Sequence, residues 1–226
     1  MDRETYRKTE GYMLSCMADS AHDKDHVYRV LYLALDIAGH EAGVDFDVLV
    51  PACLLHDIGR AEQFENPGLD HARAGSEKAR KWLRENGWDE ASAVRISSCV
   101  LTHRYRSGKP PGSLEAKILF DSDKLDATGT LGIARTIFYK GQVTEPLYTL
   151  RGDGSVSDGS GDSPPSFLQE YKFKLENIYD RFYTDRAKRI ALERQASAVS
   201  FYNSMLSEVS LCYGNGVSAL ADLLNG

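Results

Sequence analysis

Apolar residues recur at steps of three and four over most of the chain, which is the pattern of amphipathic helices. Clear examples are the segment from Val27 to Ala38 and, near the other end, the segment from Phe167 to Phe182. A shorter segment, from about Asp47 to Ile58, is almost uniformly apolar and predicts a helix at the centre of the fold. Strand signals are few, since no Asn-Gly turn lies between alternating segments. The pattern therefore predicts an all-α protein.

The other predicted helices complete a single helical domain over residues 1–226. They cover four further segments, namely residues 70–86, 91–103, 114–125 and 130–139. A core over about residues 20–140 contains all six histidines. Long C-terminal helices over residues 167–210 are expected to pack on the same body, because no second hydrophobic core is evident.

Residues 152–166 interrupt the helical pattern with the sequence GDGSVSDGSGDSPPS. Gly, Ser, Asp and Pro dominate this segment, and Val156 is its one larger aliphatic side chain. A segment of this composition gains too little from burial to offset the entropy lost on ordering. It is therefore expected to be a mobile surface loop that packs against nothing.

Composition and charge narrow the class of protein. Of the 226 residues, 42% are hydrophobic and 27% are charged, which is typical of a globular protein. The apolar runs fall far short of the ~20 residues that a membrane span needs, and the polar start Met1–Lys8 predicts no signal peptide. A net charge of -6 argues against nonspecific binding of nucleic acid. The four cysteines are scattered without a C-x-x-C pair, which indicates a reduced, cytoplasmic protein.

A histidine–aspartate pair ends the most apolar helix. His56 and Asp57 stand there after Ala, Cys and Leu residues, where unpaired polar groups are costly. Helix capping explains the pair taken alone. His26 begins the preceding helix, however, and an antiparallel pair of helices would bring it to the same end. Two imidazoles and a carboxylate are a mixed set of ligands that suits Mn, Fe, Co, Ni, Zn or Mg.

A further carboxylate ligand is expected from the sequence FDSDKLDATG at residues 120–129. Asp121, Asp123 and Asp126 are its three candidates, and they follow apolar residues that should face inward. On a helix, Asp121 lies about 200° and Asp126 about 300° round the axis from Asp123. If Asp123 is the ligand, Asp121 should therefore face away, whereas Asp126 could partly replace it.

Four local sequences occur together in one order. They are H-D-x-x-H-x-x-R-V at residues 22–30, L-L-H-D-I-G-R at 54–60, D-H-A at 70–72 and D-S-D-K-L-D-A-T-G at 121–129. With these motifs the chain resembles the HD superfamily of metal-dependent phosphohydrolases, in particular its small, single-domain bacterial members. The resemblance implies an HD-domain helical bundle, in which Asp126 could hold a ligand in place or bind a metal-bound water. It also implies four metal ligands: His26, His56, Asp57 and Asp123.

Two further histidines, His71 and His103, lie between the histidine–aspartate pair and Asp123. In binuclear members of the superfamily, two histidines in this interval bind a second metal ion. We favour the interpretation that His71 and His103 contact the substrate or support another ligand, with ligation of a second metal as the alternative. His22 is expected to be a solvated residue at a helix start.

The resemblance implies a divalent-metal-dependent phosphohydrolase in which a metal-bound water attacks a phosphorylated small molecule. A nucleotide is the favoured substrate, with the chain acting as a nucleotide pyrophosphohydrolase or phosphatase. Basic residues stand beside each motif, which suits an anionic substrate. The substrate-binding candidates are Arg29, Arg60, His71, His103 and Arg104, with Arg106 and Lys109 close by in sequence.

Three residues are candidates for the chemical step, namely Asp57, Glu62 and Lys124. Glu62 could orient or deprotonate the attacking water, and is otherwise a surface residue. Tyr105, Tyr139 and Tyr148 could stack on a base, although aromatic residues at such spacing are common in packing.

Two other functional classes remain open. One is a non-catalytic sensor of a nucleotide or similar ligand, and the intact set of histidines and aspartates argues against it. The other is a di-iron oxygenase of the HD fold, which needs a complete set of six ligands and consumes O₂. The expected partner is a small phosphorylated substrate, without membrane or nucleic acid, and a homodimer is compatible with the sequence.

Overall fold

The structure of the protein is a computed structural model that describes residues 1–17, 24–66, 68–104 and 109–225. In these ranges the secondary structure is helical, and no strand is present. A single isolated bridge joins Leu150 to Val156. The all-α prediction is confirmed.

The helices of the described ranges are labelled in chain order. Their bounds are α1 Arg3–Cys16, α2 Lys24–Ala38, α3 Phe46–Leu55, α4 Arg60–Glu65, α5 His71–Glu85, α6 Glu90–Thr102, α7 Leu114–Leu125, α8 Gly129–Gln142, α9 Phe167–Glu170 and α10 Asp185–Asn225. A short π-helical turn, Tyr171–Leu175, continues α9. Helices α1 and α4 were not predicted from the apolar pattern, because each buries few residues.

Aspartate and serine residues begin several of these helices. Their side chains accept hydrogen bonds from the first turn of backbone N–H groups, which have no partner within the helix. The N-cap residues of this kind are Asp2 for α1, Asp45 for α3, Asp70 for α5, Asp89 for α6, Ser113 for α7 and Ser166 for α9. Local sequence therefore fixes where these helices start.

The chain forms two compact units. The first comprises Met1–Asp126 together with Tyr183–Ala187, and the second comprises Ala127–Phe182 and the chain from Lys188 onward. All the histidines and aspartates proposed above as ligands lie in the first unit. A single domain with the C-terminal helices on the same body stays a prediction.

Helix α3 forms the centre of the first unit. Every residue from Val48 to Leu55 is buried, and α3 contacts α1, α2, α6 and α7. This agrees with the prediction from its uniformly apolar sequence. Its C-terminal end, where His56 and Asp57 stand, therefore lies inside the unit and not at its surface.

A close backbone contact holds α5 against the turn that follows α3. A Cβ on Gly59 would lie 2.3 Å from the carbonyl oxygen of His71 and 2.5 Å from the backbone nitrogen of Gly75. Only glycine allows two backbones to approach so closely. Gly59 therefore brings the start of α5, and His71 with it, next to the end of α3.

Residues 152–166 differ from the expectation that nothing in them packs. Val156, Ser157 and Ser166 are buried. Asp162 accepts hydrogen bonds from the hydroxyls of Thr149 (2.6 Å) and Ser157 (2.8 Å). Short polar side chains thus form hydrogen bonds with one another and with the backbone of the turns. An expectation based on apolar burial does not include the stabilisation from these bonds. That expectation is wrong, whereas the mobility of the segment stays a prediction.

The predicted C-terminal helical region is interrupted. After the π-helical turn the chain leaves the helix, and α10 begins at Asp185 and continues as one helix to Asn225, past the predicted end at 210. Asp121 accepts hydrogen bonds from the backbone N–H groups of Tyr183 (2.9 Å) and Thr184 (2.7 Å). This buried carboxylate stabilises the non-helical backbone just before α10.

Two further features bear on the expectations from composition. No described helix combines the length and the apolar character that crossing a bilayer requires. The four cysteines, Cys16, Cys53, Cys99 and Cys212, are all free thiols.

The contact at Gly59 generates a prediction. Gly59→Ala should destabilise the fold by about 1–3 kcal/mol, because the added methyl group cannot fit between the two backbones. Gly11→Ala is the matched control, since Gly11 lies inside α1 with open space around it. It should be neutral or stabilising by about 0.5–1 kcal/mol. Thermal or urea unfolding of the two variants measures the difference, and equal stability would contradict the assignment.

Candidate metal centre

Four buried imidazoles come together at the ends of four helices of the first unit. His26 lies in the first turn of α2 and His71 begins α5, while His56 and His103 are the C-cap residues of α3 and α6. Each is at most 4% exposed. Imidazoles taken out of water need partners for both ring nitrogens.

The Nδ1 atom of each ring has a hydrogen-bond acceptor. The acceptors are the Cys53 carbonyl for His56 (2.8 Å), the Val100 carbonyl for His103 (2.6 Å), the Gln63 side-chain oxygen for His71 (2.5 Å) and the Asp126 carboxylate for His26 (2.7 Å). With Nδ1 as the donor, a neutral ring carries its lone pair on Nε2. All four Nε2 atoms face the same buried space, so the ring orientation is set by the backbone and by two side chains.

Two groups of ligand atoms form around Asp57. Site A consists of His26, His56, Asp123 and the Oδ2 atom of Asp57. Site B consists of His71, His103 and the Oδ1 atom of Asp57.

In site A the Nε2 atoms of His26 and His56 are 3.3 Å apart, and the Asp123 Oδ1 atom is 3.3 Å from His26. The Asp57 Oδ2 atom is 3.5 Å from both rings. In site B the Asp57 Oδ1 atom is 3.5 Å from His71 Nε2 and 3.6 Å from His103 Nε2. Asp57 therefore stands between the two sites with one oxygen toward each.

The residues present fit a divalent cation. Asp57 Oδ1, His71 Nε2 and His103 Nε2 are buried and have no hydrogen-bond partner in the part of the chain that the structure describes. Each such atom costs about 1–3 kcal/mol when left unsatisfied. Donors that bind one ion at about 2.1 Å lie about 3.0–3.5 Å apart, close to the separations seen here. Imidazole nitrogens with carboxylate oxygens suit the first-row divalent metals.

Burial and neighbouring charges shift the pKa values of the histidines and aspartates in the cluster. Burial lowers the pKa of His26, but hydrogen bonds to Asp123 and Asp126 outweigh it and raise the pKa to about 9. Burial lowers the pKa of His56 to about 4. Burial would raise the pKa of Asp57 and Asp123, yet nearby cations, Arg60 and Lys124 in turn, hold both pKa values well below the usual range. At neutral pH the metal-free cluster thus holds two carboxylates and a protonated His26.

The three aspartates of α7 have three different roles. Asp123 presents an oxygen to site A, whereas Asp126 accepts the hydrogen bond from His26 Nδ1. Asp121 faces the backbone of Tyr183 and Thr184 instead. These orientations agree with the rotation of about 200° and 300° that the helix spacing gives.

Three of the predicted cations lie beside the cluster. Arg60 donates to Asp57 Oδ2 (3.0 Å), and Lys124 donates to Asp123 (2.9 Å). Arg104 lies 3.2 Å from both His71 Nδ1 and Asp70. The side chains of Arg60 and Lys124 are 41% and 18% exposed, so both can be reached from solvent.

The structure gives other partners to two predicted site residues. Arg29 forms a bidentate ion pair with buried Asp126 (2.8 and 3.1 Å). Glu62 pairs with Lys78 at 2.8 Å. Arg29 therefore supports the partner of His26, and the substrate role of Arg29 and the water-activating role of Glu62 stay predictions.

Sequence reasoning missed Gln63, the partner of His71. A lone glutamine carries no motif, and only the turn between α4 and α5 brings it to the ring. His22, Tyr105 and Arg106 lie outside the described residues. Tyr139 is exposed on α8, and the Tyr148 hydroxyl contacts that of Tyr213, so base stacking by these tyrosines stays a prediction.

Residues 24–128 match the family model of the HD domain. Over 194 residues the chain is 27% identical to YpgQ, an uncharacterised protein of Bacillus subtilis, which covers 84% of this chain and 85% of YpgQ. A crystal structure of YpgQ in complex with ADP has a TM-score of 0.69 at 24% identity, covering 90% of this chain and 97% of that chain. At that identity the likeness shows the fold.

Two other proteins are similar. An HD-superfamily hydrolase from Bacillus thuringiensis has a TM-score of 0.68 at 26% identity, covering 91% of this chain and 97% of that chain. The 3'-5' exoribonuclease YhaM of Bacillus pumilus is 28% identical over 140 residues, which is 55% of this chain and 45% of YhaM. This chain therefore matches less than half of YhaM.

The raised pKa of His26 generates a pH prediction. Because the pKa of about 9 keeps His26 protonated at pH 7, an ion that binds its Nε2 must release that proton. The apparent affinity should fall about tenfold for each pH unit below 9 and level off above it. Calorimetric titration of Mn²⁺ at pH 7 in buffers of different ionisation enthalpy should show release of about one proton. Binding without proton release would contradict the prediction.

Proposed function

We propose that this chain, which matches the HD domain over residues 24–128, is a divalent-metal-dependent phosphohydrolase of the HD superfamily that acts on a nucleotide. Two findings support membership of the superfamily. They are the match to the HD domain and the fold that this chain shares with HD-superfamily hydrolases. The substrate, the bond and the metal dependence are the proposal.

One observation carries the proposal. Four imidazole Nε2 atoms and two carboxylates converge in one buried cluster, and three of these atoms have no hydrogen-bond partner among the described residues. Site A and site B would each hold a divalent ion, with Asp57 shared between them. Ions bound there would polarise a phosphoryl oxygen and lower the pKa of a bound water toward neutrality.

The chain's own residues complete the requirements for an anionic substrate. Arg60 and Lys124 are partly exposed and lie directly beside the two ligand carboxylates. Guanidinium and ammonium groups there can donate charge-assisted hydrogen bonds to phosphoryl oxygens. Arg104, two residues after the end of α6, lies 3.2 Å from His71 Nδ1 and extends the cationic edge formed by Arg60 and Lys124 toward site B.

The relatives support a nucleotide substrate. YpgQ has been crystallised in complex with ADP, and YhaM is a 3'-5' exoribonuclease. ADP and RNA both contain nucleosides linked to phosphate. A cytoplasmic location and a homodimer stay predictions.

A second candidate function, that of a di-iron oxygenase, has one observation in its favour. The cluster supplies six ligand residues, His26, His56, Asp57, His71, His103 and Asp123, which is the number that such a site needs. The cationic edge favours the phosphohydrolase, since Arg60, Lys124 and Arg104 suit an anion and not an oxidisable carbon centre. Uptake of O₂ by the iron-loaded protein would favour the oxygenase over the phosphohydrolase.

The proposal predicts hydrolysis that depends on added metal and on Asp123. Asp123→Asn keeps the size of the side chain but removes the charge at site A, so turnover should fall by at least about 100-fold. The measurement is release of phosphate or pyrophosphate from nucleoside mono-, di- and triphosphates with Mn, Co, Ni, Mg or Zn.

Asp121→Asn is the matched control on the same helix. Its carboxylate holds Tyr183 and Thr184, so this variant should have a lower Tm but retain metal and turnover at temperatures where it is folded. If Asp121→Asn loses metal while Asp123→Asn keeps it, the ligand assignment is wrong. A metal-loaded wild type that hydrolyses no phosphorylated compound would overturn the proposed function.

A further inference from the structure

Sites A and B are not equivalent in the number of ligands they offer. Site A has two imidazoles, the Asp123 carboxylate and one oxygen of Asp57. Among the described residues, site B has two imidazoles and the other oxygen of Asp57. Carboxylate ligands add both a bond and a charge, and affinity for a divalent ion rises with their number.

The outer partners of the histidines differ between His26 and His71. His56 and His103 both donate Nδ1–H to a backbone carbonyl three residues earlier. His26 donates to a carboxylate, that of Asp126, whereas His71 donates to the neutral amide of Gln63. A carboxylate partner makes an imidazole a stronger ligand than a neutral partner does.

The cations around the cluster do not cancel this difference. At site A, Arg29 and Lys124 offset Asp126 and Asp123. At site B, Arg104 offsets Asp70 and also lies 3.2 Å from His71 Nδ1, where its charge opposes a bound cation. Arg60 donates to the Asp57 Oδ2 atom of site A and offsets a carboxylate that both sites share. Each carboxylate beside site A or site B therefore has a cation as its partner. The number of ligands and the outer partners of the histidines then decide which site binds an ion more tightly.

We propose that the two sites fill in sequence, A before B, and that Gln63, the positioning residue of His71, supports site B less strongly than a carboxylate would. The inference rests on the proposed function, because it assumes that the cluster binds divalent ions. Site A would hold its ion at low metal concentration. Site B would fill only at higher concentration, so the number of bound ions would follow the metal supply.

The experiment is a titration of the metal-stripped full chain with Mn²⁺, followed by equilibrium dialysis and electron paramagnetic resonance. Two separate steps are expected, with dissociation constants at least about tenfold apart. The first ion should give the six-line signal of isolated Mn²⁺, and the second should change it through coupling of adjacent ions. His103→Ala should abolish the second step and keep the first.

Two substitutions of Gln63 test its effect on the affinity of site B, one expected to raise that affinity and one expected to lower it. Gln63→Glu gives His71 a carboxylate partner and should raise the affinity of the second step by about 10-fold, with the first step unchanged. Gln63→Ala removes the hydrogen-bond partner of His71 and should lower the affinity of the second step. Gln142→Glu, an equal change of charge at the exposed end of α8, should alter neither step. Circular dichroism confirms that each variant is folded.

The outcomes separate the inference from the proposed function. Two ions that bind in one step with equal affinity would overturn the inference and leave the phosphohydrolase proposal standing. A second step that Gln63→Glu fails to strengthen would do the same. Absence of any bound ion in the wild type would overturn the proposed function as well.

Discussion

The hydrogen bond at Nδ1 of each of four histidines is the interaction on which the site depends. It fixes the ring and places the Nε2 lone pair toward a shared buried space. Two of the acceptors are backbone carbonyls in the last turns of α3 and α6, so the ends of helices orient the ligands without further side chains. Such a cluster is costly without a cation, because burial leaves lone pairs and carboxylate oxygens facing one another.

The rest of the first unit serves to bring these four helix ends together. Buried α3 carries His56 and Asp57 to the centre, and the contact at Gly59 holds α5 close enough for His71 to face Asp57. Helix α7 contributes on two of its faces. Asp123 and Asp126 face the cluster, while Asp121 holds the backbone before α10. Helix α7 thus connects the proposed metal ligands to the start of α10.

Much of the site was predictable because its residues stand in motifs. His26, His56, Asp57 and Asp123 were predicted together, and the orientation of Asp121 followed from helix geometry alone. What could not be predicted was the direction of long side chains and the partners supplied by neighbouring elements. Arg29 stands one turn from His26 as a substrate cation would, yet it pairs with Asp126.

The same limit explains the other differences. Gln63 carries no motif, and only the packing of α4 against α5 reveals it as the partner of His71. Residues 152–166 were expected not to pack because their composition lacks apolar side chains, whereas serine and aspartate hydrogen bonds order the turns. Helix α10 extends to Asn225 although its last turns bury nothing, so no apolar periodicity marks its end.

The most direct test of the central claim is anomalous diffraction at the manganese edge from crystals grown in excess Mn²⁺. The account predicts two peaks about 3.5–4 Å apart on either side of Asp57, each bound through the Nε2 atoms of its two histidines. A single peak remote from Asp57, or coordination through Nδ1, would contradict it.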